Sequence, residues 1–120
     1  MEIVEFLNED AVKDTVTNPK NNEILFVIDC GATWCAPCKT FAKFYDEFVK
    51  KHPKTDLVHF CKLDIQNFSG FCDSNKISSV PTILFIKNTT VIDRMEGADQ
   101  SKFKAMLNKH LPQKTNFSAK

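Results

Sequence analysis

The chain has no excess of charge of either sign: 16 lysines and arginines stand against 15 aspartates and glutamates, for a formal net charge of +1. That balance leaves no broad basic field for holding nucleic acid or an anionic membrane, and neither is expected as a partner. No segment approaches the roughly 18 uninterrupted apolar residues of a membrane span. The first residues, Met1-Glu2-Ile3-Val4-Glu5, lack the basic stretch followed by an apolar run that marks an export signal. A soluble, cytoplasmic protein is the expectation. There is no internal repeat and no low-complexity region. With 120 residues, 42% of them hydrophobic, the chain can build one core, and a large cofactor-binding architecture would be cramped.

Cysteine is the informative residue type. There are five, at positions 30, 35, 38, 61 and 72, and Cys35 and Cys38 form the one close pair. An odd number with one close pair fits a reducing compartment and a chemically active dithiol better than an extracellular disulfide framework.

Hydrophobic periodicity divides the chain into alternating elements. Ile3 to Phe6 reads as a short strand and Asn8 to Val16 as a helix, with Asn8 available as its cap. Ile24 to Ile28 is a nearly continuous β-rich run, as in a central strand covered on both faces. A long helix is expected from near Trp34 or Cys35 to about Lys51, because Phe41, Phe44, Tyr45, Phe48 and Val49 recur at three- and four-residue spacings. Those aromatics read as core. Leu57 to Leu63 is a third strand and Ser69 to Lys76 a short helix. Thr82 to Ile86 and Val91 to Met95 are two strands joined by Lys87-Asn88-Thr89-Thr90. Ser101 to Leu111 closes the series as a helix. Strand and helix alternation followed by adjacent strands argues for an α/β fold with a mixed sheet and helices on both faces. The expected organisation is one domain over residues 1–111 and a short tail over 112–120.

The chemistry concentrates in Trp34-Cys35-Ala36-Pro37-Cys38-Lys39. A cysteine at a helix start sits among unpaired N–H groups and the positive end of the helix dipole, which stabilise its thiolate. The second cysteine lies about one turn on, close enough to attack a mixed disulfide formed at the first. Pro37 suits a first helical turn, where no N–H partner is needed. Two other uses of Cys-x-x-Cys exist, half of a zinc site and an inert structural disulfide. Cys61, Cys72, His59 and His52 supply no second Cys-x-x-Cys or Cys-x-x-His pair, so no metal is expected.

Taken with Phe26-Val27-Ile28-Asp29, Lys62-Leu63-Asp64, Val80-Pro81-Thr82 and Gly97, that segment resembles the thioredoxin family across approximately Ile3 to Leu111. The resemblance implies a central mixed five-stranded sheet and a protein-disulfide reductase working by dithiol–disulfide exchange. It implies catalytic roles for four residues. Cys35 is then the exposed nucleophile and Cys38 the buried resolving thiol, with Asp29 as a buried carboxylate exchanging a proton with Cys38 and Lys62 tuning that carboxylate. A substrate surface of Trp34, Ala36, Pro37, Val80, Pro81 and Gly97 is also implied, with a cis bond before Pro81. No cofactor would bind the chain itself. Thioredoxin reductase would regenerate the dithiol with NADPH, and disulfide-containing proteins would be the other partners of a monomer. Pro37 favours reduction over the isomerase class, in which histidine is common at that position. A redox-dependent binding or regulatory module, and a protein-disulfide oxidase or isomerase, are the alternatives.

Several positions depart from the family pattern. Ala36 replaces a common glycine, Gly31 stands where many bacterial members have tryptophan, Lys43 replaces a helix-kinking proline, and Asn88-Thr89 replaces Asn-Gly. Cys30 and Cys61 read as buried strand residues, and Cys72 as a partly exposed helix residue open to oxidation.

Overall fold

The computed structural model describes residues 1–112; all of the expected tail beyond Pro112 lies outside the described residues. Five strands, β1 (Ile3–Glu5), β2 (Leu25–Gly31), β3 (Val58–Asp64), β4 (Thr82–Lys87) and β5 (Thr90–Glu96), form one sheet in the order β1-β3-β2-β4-β5. The first three run parallel, and β4 and β5 are antiparallel to their neighbours. The sheet is therefore mixed and five-stranded, as expected. Helices α1 (Glu9–Val16), α2 (Ala36–Lys51), α3 (Ser69–Ser74) and α4 (Gln100–His110) connect and follow the strands.

Side-chain alternation along the central strands sorts the core into two layers. Leu25 and Val27 of β2, Val58 and Phe60 of β3, and Ile83 and Phe85 of β4 meet Phe41, Tyr45 and Val49 of α2 and Phe103 and Leu107 of α4. Phe26, Ile28 and Cys30, with Cys61, Leu63, Leu84 and Ile86, face the other way and pack with Val12 of α1 and with Phe68 at the start of α3. Each side chain fully buried in these layers contributes about 1.5–3 kcal/mol, before the entropic cost of ordering it. The aromatic stripe read from the sequence is core: Phe103 is T-shaped against Phe41, Phe44, Tyr45 and Phe48.

Side chains cap helices α1 and α4, Asn8 at α1 as the sequence suggests and Asp99 at α4. Asn8 accepts the Ala11 N–H at 2.8 Å, and Asp99 accepts the Lys102 N–H at 2.9 Å, each satisfying a donor with no intrahelical partner. The Glu9 carboxylate takes the Phe71 N–H and so ties α1 to α3.

Some boundaries differ from the sequence reading. Strand β2 runs on through Asp29 and Cys30 to Gly31, because ladder pairing with β3 continues to Gly31 opposite Asp64. Helix α3 ends at Ser74, two residues short, where Lys76 takes a positive φ of 55°. Two short 3₁₀ turns, Pro19–Asn21 and Ile65–Asn67, stand where no element was expected. The β4–β5 turn puts both Asn88 and Thr89 at positive φ, 51° and 67°. That is the backbone of a two-residue hairpin turn that glycine usually serves. Helix α2 runs unbroken through Lys43.

Candidate active site

Helix α2 begins immediately after the end of β2 and a four-residue turn, and Cys35 is its N-cap. The Cys38 N–H points at Cys35 Sγ at 3.2 Å. This places the sulfur of Cys35 where the open N–H groups of the first turn converge. Cys35 and Cys38 are joined in a disulfide with Cα atoms 5.2 Å apart. The helix starts one to two residues later than expected, because Cys35 caps it rather than entering it.

Exposure differs from the family-based expectation. Cys35 is 7% exposed and Cys38 6%, so the pair is not divided into an open and a buried residue. Ala32 forms one apolar cluster with the two cysteines, and Ile65 and Val80 pack against that cluster, which is the physical reason. What separates the two is their surroundings. Cys35 Sγ lies 3.7 Å from the Val80 carbonyl, whereas Cys38 lines a cavity of about 220 Å³ together with Asp29, Gly31, Lys39 and Lys62. Ile65 escaped the sequence reading; its one sign was an apolar residue in a polar turn after β3.

Strand parity explains why Asp29 is under the cysteines. It follows Leu25 and Val27 on the α2 face of β2, just as Lys62 follows Val58 and Phe60 on β3, and the two residues are register partners. Asp29 is 7% exposed, and its Oδ1 is the one buried side-chain nitrogen or oxygen without a hydrogen-bond partner among the described residues. Burial pushes its carboxyl up from 3.8 to about 7; the Lys62 charge pulls the other way and Asp46 adds a smaller upward push. A carboxyl held near neutrality can accept or give up a proton at physiological pH. Glu5 is the register partner of Lys62 on β1, so in the ladder Lys62 stands between two acidic residues.

The Val80–Pro81 peptide bond is cis. Pro81 is tied back by its carbonyl, which accepts the Gly97 N–H at 2.8 Å. Gly97 has φ +99°, and a Cβ there would meet nothing within 4 Å. Its requirement for glycine is therefore backbone conformation, the tight bend rather than close approach. Trp34 is 72% exposed, and Ala36 and Pro37 are also exposed at the helix start. Of the residues singled out in the sequence, Val80 packs with the disulfide and Asp29 and Lys62 share the cavity that Cys38 lines; Trp34, Ala36 and Pro37 adjoin it in the chain, and Gly97 is joined to Pro81. Cys30 and Cys61 are buried and Cys72 is partly exposed, on the opposite sheet face with α1 and α3. Among the described residues no cluster of three or more metal-ligating side chains occurs, and no helix is long and apolar enough to cross a membrane.

A mixed sheet that presents a Cys-x-x-Cys disulfide at a helix N-terminus, beside a cis X–Pro bond and above a buried carboxyl, defines a thiol–disulfide oxidoreductase. The family model for thioredoxin matches residues 3–109. The chain is 30% identical over 102 residues to thioredoxin H-type 2 of Nicotiana tabacum, covering 85% of this chain and 84% of that protein. It is 32% identical over 108 residues to thioredoxin 1 of Plasmodium falciparum, covering 90% and 98%. Its structure superposes on crystalline Malassezia sympodialis thioredoxin with a TM-score of 0.80 at 31% identity, covering 91% and 90%. The chain belongs to the thioredoxin family, and its redox-active cysteine pair performs dithiol–disulfide exchange.

Proposed function

We propose that the chain is a general protein-disulfide reductase in which Cys35 attacks and Cys38 resolves. In the reduced form the Cys35 thiolate attacks one sulfur of a target disulfide. A new Cys35–target bond forms, the target S–S bond breaks, and the other target sulfur leaves as a thiolate. Cys38 then gives its proton to Asp29 and attacks Cys35 Sγ, which releases the second target thiolate. The target gains two electrons and the Cys35–Cys38 pair loses two. Asp29 suits the proton step because it titrates near neutrality and shares a cavity with Cys38. Burial raises the carboxyl of Asp29, and the charge of Lys62 offsets part of that rise.

The observation that carries the reading is the placement of the disulfide at the start of α2, 3.7 Å from the Val80 carbonyl. A backbone edge beside the reacting sulfur is what an extended segment around a target disulfide needs in order to dock by strand-like pairing. Trp34, Ala36, Pro37, Pro81 and Gly97 complete that surface. The domain spans residues 1–111, works as a cytoplasmic monomer, binds no cofactor, and is regenerated by a thioredoxin reductase drawing on NADPH.

The test is NADPH-linked reduction of an accessible protein disulfide with a matched thioredoxin reductase. Turnover by the parent is expected, with loss in C35S and trapping of a mixed disulfide in C38S. Negligible parent turnover removes the reductase reading for that pair of proteins and favours a redox-dependent binding module.

A further inference from the structure

Strand β5 grips the segment that carries Val80 at both ends. At its own end, the Gly97 N–H holds the Pro81 carbonyl. Three residues earlier, Arg94 leaves β5 on the α1/α3 face, since its partner Leu84 belongs to that layer. Its guanidinium donates to the Lys76 carbonyl at 3.3 Å and to the Asn75 carbonyl. These carbonyls follow α3, where a helix leaves acceptors unpaired and presents its negative end. A planar guanidinium with several fixed donors satisfies both at once, as a lysine ammonium on a flexible stem does less well.

The grip falls on a conformationally demanding residue. Lys76 has φ +55°, a region that costs any residue with a Cβ and persists when surrounding contacts fix it. From there Ile77-Ser78-Ser79-Val80 runs to Pro81. Along this stretch the Ile77 N–H donates to the Cys72 carbonyl at 2.9 Å and the Thr82 hydroxyl to the Ser79 carbonyl at 2.7 Å. The far end of the segment is Val80, whose carbonyl lies beside Cys35 Sγ.

We propose that Arg94 is a positioning residue for protein substrates: by gripping the Asn75 and Lys76 carbonyls, it sets the Val80 edge at pairing distance from an extended peptide, without touching the peptide itself. The inference rests on the reading of Val80 as the substrate edge. It implies discrimination by substrate class. A polypeptide disulfide uses the edge, whereas a small disulfide with no peptide backbone reacts at Cys35 without it.

The test compares the parent, R94A and R94K in dithiothreitol-driven reduction of insulin and of 2-hydroxyethyl disulfide, together with amide exchange at Ile77 and Val80. Expected for R94A is a rise in KM for insulin of about three- to tenfold with kcat and the small-disulfide rate within about twofold of the parent. R94K should recover part of the loss. Equal losses on both substrates, or no change on either, would overturn the proposal. If R94A does not fold, R94K decides it: a KM increase confined to insulin supports the proposal and an unchanged KM rejects it. Amide exchange separates this inference from the reading beneath it. Faster exchange at Ile77 and Val80 in R94A, with no insulin turnover even by the parent, removes the substrate-edge reading and leaves the grip of Arg94 standing. Unchanged exchange removes the grip.

Discussion

Asp29 and Lys62 are register partners across the parallel β2–β3 ladder, and both point to the face covered by α2. The carboxyl nonetheless titrates near 7 rather than 3.8, so desolvation outweighs the attraction of the ammonium. Because the folded-state value is raised, the fold keeps a proton that the unfolded chain has already lost between about pH 4 and pH 7. Stability therefore falls as pH rises through that window and levels off above it. The size of the effect is on the order of 4 kcal/mol at most. D29N removes the penalty. It should be more stable than the parent at about pH 8, with the difference shrinking toward about pH 4, as urea unfolding followed across pH would show. A pH-independent difference would contradict the assignment.

Gly31 leaves one side of the resolving sulfur open. A Cβ at this position would lie 3.5 Å from Cys38 Cβ, 3.6 Å from its Sγ and 3.8 Å from Asp29 Oδ1. These are ordinary van der Waals contacts, so a Cβ fits here without displacing its neighbours. Its further atoms would cover the mouth of the cavity. In a reduced C35S background, G31F should slow alkylation of Cys38 by iodoacetamide by about tenfold, since reaction requires access to the thiolate. Mass mapping of the alkylated cysteine gives the readout, and an unchanged rate would mean that the reagent enters elsewhere.

The three cysteines outside the active pair should differ sharply in reactivity. Burial pushes Cys61 up to about 12 and Cys30 well above 9.0. Cys72 is also raised, by burial first and then by the charges of Asp73 and Glu9, but it is partly exposed. With the active pair oxidised, a chromogenic disulfide at about pH 8 should titrate Cys72 alone, and more slowly than a free thiol. All three free cysteines should react after denaturation. Rapid labelling of Cys30 in the native protein would be the contrary result.

Tyr45 brings a hydroxyl into the α2 layer of the core, within 3.1 Å of the Val27 carbonyl and 2.9 Å of the Cys61 carbonyl. It bridges helix α2 to two neighbouring strands. Y45F keeps the ring and its packing, so it should cost only the net worth of a hydrogen bond, about 0.5–1.5 kcal/mol. Turnover should stay within about twofold of the parent, because the hydroxyl faces the sheet rather than the cysteines. Equilibrium denaturation and a disulfide-reduction assay together check both halves.

Hydrophobic periodicity carried most of the fold. The near-continuous run in β2 and the three- and four-residue spacing of aromatics in α2 are properties of single segments, and each specifies its own secondary structure. The pairing of Cys35 with Cys38 at a helix start is equally local, which is why the chemistry could be read directly. Asp29 and Val80 were placed through the family pattern, since neither residue's own neighbours in the chain reveal what it faces.

What only the tertiary structure decided depends on strand order and register. These bring Lys62 opposite Asp29, set Val80 beside Cys35 across 45 residues of chain, and let Arg94 reach the end of α3. The near-equal burial of the two cysteines has the same origin, because Ala32, Ile65 and Val80 come from three separate places to cover them. A segment's sequence fixes the period of its side chains. Contacts between distant segments arise only when the sheet closes its ladders and fixes their register.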